Sequence, residues 1–175
     1  KVCCRDTRDL YAQRIDAGGI RMWGDQDVPL AVLDPGEELL GLVASPTGGA
    51  LVLFRRGNGS LYAQELDTSG SLRSGRDGRV IDATDGTGEW LPGNGFAVSA
   101  DGRSAAVLYA QPVEGGSSVR VVSAVWGTTG WSVSAPVEID RASGLHPGAI
   151  ACAATAGSWP RGARPRWGSG WMVAG

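Results

Sequence analysis

LYAQ stands at residues 10–13, again at 61–64 and again at 108–111. The tyrosines are Tyr11, Tyr62 and Tyr109, so the spacings are 51 and 47. Self-similarity at a fixed period near 50 marks a repeat architecture. Outward from the middle copy, residues 49–57 read GALVLFRRG. Leu51, Leu53 and Arg55 fall on one face of a strand, Val52 and Phe54 on the other. Both faces begin apolar, as in a strand inside a packed stack. Asn58-Gly59 follows, a strong hairpin signal. SLYAQELD (60–67) then alternates Leu61, Ala63 and Glu65 against Tyr62, Gln64 and Leu66. Thr68-Ser69-Gly70 turns the chain, and GRVIDAT (78–84) reads as an outer strand.

The same order recurs on both sides. The first unit is under way at residue 9, with DLYAQRIDAGG (9–19), IRMWG (20–24), VPLAVL (28–33) and ELLGLVASPTGG (38–49). Beyond Pro92-Gly93 come GFAVSADG (95–102), SAAVLYAQPV (104–113), SSVRVVSAVW (117–126) and WSVSAPVEI (131–139). The one helical candidate, GEELLGLVA (36–44), holds Gly41 inside it and stops at Ser45-Pro46. Each period therefore predicts about four short strands. Four-stranded units of 40–50 residues repeated radially are the blades of a β-propeller. A single β-sandwich holds as many strands but gives no reason for one tetrapeptide at near-equal spacing. The expected fold is all-β, a propeller of four-stranded blades with about three and a half blades present. Residues 1–157 make the blades, beginning inside one, and 158–175 begin the next. In that scheme Tyr11, Gln13, Tyr62, Gln64, Tyr109 and Gln111 are structural repeat residues, serving packing and register.

The composition agrees with strands and turns. Glycine is 28 of 175 residues, about twice its usual share, and it follows no collagen-like period. The formal charge is −2, without the basic excess of a nucleic-acid binder. No run of 18 apolar residues occurs, so no membrane span is read. Cys3, Cys4 and Cys152 cannot all pair within one chain. A bridge from Cys152 to Cys3 or Cys4 and unbridged thiols are both open readings.

DLYAQRIDAGGIRMWGDQDVPL (9–30) resembles the β-propeller repeats of bacterial secreted and cell-surface proteins, whose blades carry a phrase of the form D-I-Y-A-Q-R-(V/I)-D-x-x-G-x-x-x-W-G. Asp9, Tyr11, Ala12, Gln13, Arg14, Ile15, Asp16, Gly19, Trp23, Gly24 and Val28 stand at its places. Gly48, Gly49, Ala50, Leu51, Val52 and Phe54 match the strand that precedes each phrase in that family. The second copy keeps Tyr62, Ala63, Gln64, Leu66, Asp67 and Gly70 but has no tryptophan. The third keeps Tyr109, Ala110 and Gln111, then departs at Pro112 and Glu114. The resemblance covers roughly residues 5–157. It implies adhesion, binding or scaffolding outside the cell and carries over no catalytic motif.

Chemistry is hard to find in the residues themselves. His146 is the single histidine, so histidine-based zinc sets are absent, as are C-x-x-C spacings and a G-x-S-x-G elbow. Asp25 with Asp27, Glu37 with Glu38, and Asp82 with Asp85 are the carboxylate pairs a glycosidase needs, though any acidic β-rich chain offers as many. DTSGS (67–71) and DATDG (82–86) supply oxygens of the kind calcium takes, without a full EF-hand pattern. The tail from 158 carries Arg161, Arg164 and Arg166 beside Trp159, Trp167 and Trp171, and GSGWMVAG at its end reads as the strand of a next blade.

The expected function is that of a non-enzymatic extracellular or cell-surface propeller that binds a protein or glycan through loops. Trp23, Trp90, Trp131 and Trp159 are its candidate anchors, because rigid aromatics make good contacts. No catalytic residue, metal ligand or cofactor is assigned beyond structural calcium at those acidic turns. A propeller-fold glycoside hydrolase or lyase, and a structural subunit of an envelope or filament, are the alternatives. A ring needs at least four blades. The chain is therefore expected to belong to a larger parent chain, or to be closed by another chain or by copies of itself.

Overall fold

The computed structural model describes residues 9–32, 36–57, 59–83, 95–142, 149–152 and 171–174. Among them the chain is all β, in antiparallel sheets, with no helix. It divides into two compact units, Lys1–Trp90 and Leu91–Gly175.

In the first unit β1 (Leu10–Ala12) pairs with β2 (Val28–Ala31). Then β3 (Glu37–Ala44), β4 (Ala50–Arg56), β5 (Leu61–Leu66) and β6 (Arg79–Asp82) form a four-stranded meander in chain order. The segment with helical spacing is thus a strand, bulged between Leu39 and Gly41. Its turn into β4 is closed by Ser45, whose hydroxyl accepts the Gly49 N–H at 2.8 Å. Gly48 takes φ +95° there, a conformation that costs an L-residue strain. The β4–β5 hairpin closes with the Arg56 N–H on the Ser60 carbonyl at 3.1 Å.

Residues 10–31 and 61–82 are the same structure at an offset of 51. Leu10, Tyr11 and Ala12 face Ala31, Pro29 and Val28, while Leu61, Tyr62 and Ala63 face Asp82, Val80 and Arg79. The register slips after the leucine in both. The isolated bridge Ile15–Arg21 recurs as Leu66–Leu72. The Asp16 N–H donates to the Ile20 carbonyl and the Asp67 N–H to the Ser71 carbonyl, each at 3.0 Å. Asp16 Oδ1 takes the N–H groups of Gly18 and Ile20, as Asp67 Oδ1 takes those of Ser69 and Ser71. An aspartate bonding the backbone two and four residues on is a natural turn former.

The two repeats pack face to face. Leu10, Ala12, Val28, Leu30 and Ala31 of the first meet Ala50, Val52, Phe54, Tyr62 and Leu66 of the second in one apolar cluster. Leu and Ala of the phrase therefore face forward, onto the next sheet, and Tyr faces back, onto the previous one. Within this layer Phe54 and Tyr62 stack at 5.5 Å, and the Arg56 guanidinium lies 4.2 Å from the Tyr62 ring centre. Leu51, Leu53, Leu61 and Ala63, on the opposite face of the same sheet, are buried as well. The two-faced apolar pattern of 49–57 is thus a strand covered on both sides.

The second unit holds β7 (Gly95–Val98), β8 (Ser104–Val113), β9 (Gly116–Gly127), β10 (Gly130–Val133), β11 (Val137–Ala142), β12 (Ala149–Cys152) and β13 (Trp171–Ala174). β7, β8 and β9 pair in chain order, and β10 and β11 both pair with β9. WSVSAPVEI (131–139), expected as one strand, is two. Val133 is followed by Ser134–Pro136, where Pro136 has no N–H to give to the ladder. The break matches one in the first unit. The Ser134 N–H bonds the Ser123 carbonyl and the Ser123 N–H bonds the Ser134 hydroxyl, as Arg73 and Ser74 do with Glu65. IRMWG (20–24), also expected as a strand, is a loop with one bridge, at Arg21.

The third LYAQ is not a third copy. The Ser99 N–H donates to the Ser104 carbonyl and the Ser99 hydroxyl takes the Ser104 N–H, the pair of bonds that Ser45 makes with Gly49. Ser104 thus corresponds to Gly49, Ala105 to Ala50 and Tyr109 to Phe54. The ladders agree, since Phe54 faces Tyr62 and Tyr109 faces Arg120. Tyr109 and Gln111 lie in the second strand of their sheet, whereas Tyr62 and Gln64 lie in the third. The spacing of 47 thus joins two different strand positions, both interior to their sheets.

Candidate functional site

The loop after β1 is organised by Gln13. Its Nε2 donates to the carbonyls of Gly24 (3.1 Å) and Gln26 (3.2 Å), and its Oε1 accepts the N–H groups of Trp23 and Arg14, both at 3.0 Å. Gln64 repeats the first of these bonds, with Nε2 on the Gly75 carbonyl at 2.7 Å. Its Oε1 is buried without a hydrogen-bond partner; the backbone N–H that Trp23 gives to Gln13 has no counterpart at Gln64. The phrase glutamine is therefore a clamp that fixes its own loop.

Held by that clamp, Trp23 reaches the next repeat. Its indole N–H donates to the Thr68 carbonyl at 3.0 Å, and its ring lies on Gly70. A Cβ on Gly70 would stand 2.7 Å from Trp23 Cγ. Trp23 is half-buried and packs against the apolar cluster between the sheets. Trp23 is thus half-buried rather than fully exposed, and its seat is made by a glycine 47 residues away (70 against 23) that no local reading connects to it.

Beside Trp23 the two repeats leave a cleft of about 480 Å³. One wall is Gln13, Arg14 and Trp23. The other is the β3–β4 turn, Ser45 to Gly49, with Leu42. The Arg14 guanidinium spans the mouth, with Nη1 on the Gly48 carbonyl at 3.1 Å. No carboxylate among the described residues lies within ion-pair distance of Arg14. The cleft thus combines an indole, an exposed guanidinium, the Thr47 hydroxyl and the apolar Leu42. That set suits a polar ligand with an apolar face, and holds no nucleophile with an adjacent base.

Trp131 is buried, edge-on to Trp126 at 5.5 Å, so it too is packing rather than an exposed anchor. Trp90 and Trp159 lie outside the described residues, as do His146, Cys3, Cys4, Asp85 and the tail arginines. The Cys152 side chain is likewise undescribed. Of the three carboxylate pairs, Asp82 with Asp85 reaches outside the described residues, and in the other two one member each is engaged by an arginine. Asp27 pairs with Arg21 at 3.0 Å, and Glu38 with Arg55. Glu37 and Glu38, adjacent in β3, point to opposite faces. At DTSGS the Asp67 carboxylate is taken by its own turn and by Arg73 at 3.2 Å. The Ser69 hydroxyl, then the Ser71 N–H, hold its carboxyl below the usual carboxylate range. Asp101 is lowered in the same way by the Ser99 hydroxyl and the Arg103 N–H. Among the described residues no group of three His, Cys, Asp or Glu is placed to hold a metal ion.

Arg14, Thr47 and Leu42 were not singled out by sequence reasoning. Arg14 stood inside the repeated phrase and carried no separate signal; the cleft exists only once two repeats are stacked. Comparison with protein-family models, with curated proteins and with solved structures finds no match.

Proposed function

We propose that this chain is part of a β-propeller, and that it acts outside the cell or at the cell surface as a binding, adhesion or scaffolding module rather than as an enzyme. One observation carries the reading. Residues 10–31 and 61–82 share ladder register, bulge and turn bonds at an offset of 51, and they stack face to face. Repetition of one unit by one step is how a propeller is built. The polar residues of the phrase are used to hold that unit, Gln13 and Gln64 on loops and Asp16 and Asp67 on turns. Recognition then falls to what the stacking leaves open, which is the cleft at Arg14, Trp23 and Thr47. Its lining favours a glycan or an acidic peptide segment, which a guanidinium and an indole together hold well.

A glycan array with matched pull-downs from extracellular matrix tests this, on the native chain and on Arg14→Ala and Thr47→Ala. Binding that Arg14→Ala weakens tenfold or more supports the cleft. Binding unchanged in both variants rules the cleft out, and no ligand at all in either format counts against a binding role.

A further inference from the structure

Two glycines at positive φ serve as seats between the first two repeats. Gly70 lies beneath Trp23, and Gly48 lies beneath Arg14. A Cβ on Gly48 would stand 2.7 Å from Arg14 Nη1 and 3.1 Å from Cζ. The guanidinium is thus laid against the β3–β4 turn and pinned there, with Nη1 on the Gly48 carbonyl at 3.1 Å. The backbone of Arg14 is tied on both sides. Its N–H bonds Gln13 Oε1 at 3.0 Å, and its carbonyl takes the Met22 N–H at 2.8 Å. Among the described residues the Nε–H and Nη2–H groups of Arg14 make no hydrogen bond and meet no carboxylate. Those two groups form a parallel pair that matches the two oxygens of a carboxylate. The cation is therefore held in place inside the cleft with its binding edge unspent.

We infer that this cleft takes an acidic sugar, a uronic acid residue of a glycan, with its carboxylate on the Nε–Nη2 edge of Arg14. The inference rests on the binding role proposed above and names the ligand class within it. The rest of the lining decides for a sugar over an acidic peptide. Thr47, exposed on the turn, adds a hydroxyl that both donates and accepts. Leu42, Pro46 and Ala12 add apolar surface. A sugar acid carries a carboxylate, hydroxyls and an apolar C–H face on one rigid ring, so it meets all three at little cost in ordering. The volume of about 480 Å³ falls inside the range of about 300–1,000 Å³ that small-ligand pockets take. A peptide needs main-chain partners besides its side chain, and the turn has spent its own. The Ser45 N–H is on the Gly49 carbonyl, the Gly48 N–H on the Ser45 carbonyl and the Gly49 N–H on the Ser45 hydroxyl. The Gly48 carbonyl is taken by Arg14 itself.

The test is calorimetric titration of the full chain with trisaccharides of galacturonate, glucuronate and mannuronate. Their methyl esters, a sulfated neutral trisaccharide and a tri-glutamate peptide are titrated beside them. The expected result is binding of at least one uronate, weakened about tenfold or more by esterification and by Arg14→Lys, which keeps the charge and loses the fork. The Arg14 Nε–H resonance of the native chain, followed in the same titrations, is a readout that needs no variant. It is expected to shift with the bound uronate and to stay in place with the ester. An ester bound as tightly as its acid, uronate binding that Arg14→Lys leaves unchanged, an Nε–H resonance that does not move, or no uronate binding at all would overturn the inference. Tighter binding of the peptide or the sulfated sugar, lost in Arg14→Lys, would overturn the uronic acid while leaving the cleft as the binding site. Failure of the ligand class is in this way told apart from failure of the binding role, which shows as no binding by any probe.

Discussion

Residues 10–31 and 61–82 have one backbone design and two fates. Tyr11 is 54% exposed and Tyr62 is 8% exposed, though each faces its partner strand in the same register. Gln13 satisfies both ends of its amide, whereas Gln64 is wholly buried and leaves its oxygen unpaired. Gly19 has open space around it; Gly70, its counterpart, lies beneath Trp23. The turn bonds are the same in both copies, although among the described residues only the second has a sheet packed on its tyrosine face. Hydrogen bonds within the phrase hold the loop and turn, and stacking adds burial afterwards.

Paired substitutions separate the two copies. The largest difference is expected at the tyrosines. Tyr62→Ala removes a buried ring stacked on Phe54 and costs about 3–5 kcal/mol, as large buried aromatics do. Tyr11→Ala stays within about 0.5 kcal/mol, as exposed positions do. Denaturant midpoints measure both, and similar losses at the two sites would break the claim that only one back face is covered.

Next come the glycines. Gly19 and Gly70 have φ of +82° and +84°, so alanine at either costs about 1–2 kcal/mol of left-handed strain. Gly70→Ala must also displace the Trp23 ring and is expected to cost clearly more than Gly19→Ala. In a Trp23→Ala background that excess should vanish. If it persists, the ring is not what the glycine accommodates.

The smallest effect concerns acid. Asp67 is lowered by Ser69 and Ser71, so its folded value lies below its unfolded one. Its contribution is complete above the unfolded value of about 4 and is lost as pH falls through the folded value. Asp67→Asn should therefore flatten the acid side of the stability profile. An unchanged acid slope would contradict the turn bonds.

Strands and turns were legible because the apolar alternation and the Gly, Asp and Ser punctuation are local. β8 (104–113) and β6 (79–82) fell inside or on the segments expected for them. What was not legible was position within a sheet. LYAQ at 108–111 and LYAQ at 61–64 occupy different strands of their sheets, and in both the Leu, Tyr and Ala are buried. The distinguishing signal was the serine turn before it, Ser99 to Ser104, which matches Ser45 to Gly49 and not the Gly59-Ser60 hairpin. The candidate site was less legible still. The seat of Trp23, Gly70, is distant in sequence. Arg14 and Thr47 meet across a cleft that belongs to neither repeat alone.

In the propeller we propose, successive sheets are related by one repeated step. Arg14, Glu65 and Ser123 occupy one position in three sheets, since their carbonyls accept the N–H groups of Met22, Arg73 and Ser134 at the same break in the outer strand. Spin labels placed in pairs at 14 and 65, and at 65 and 123, measure the two steps in solution. Equal separations, within the width of the label distributions, are the predicted result. A second separation clearly longer or shorter than the first would contradict the ring.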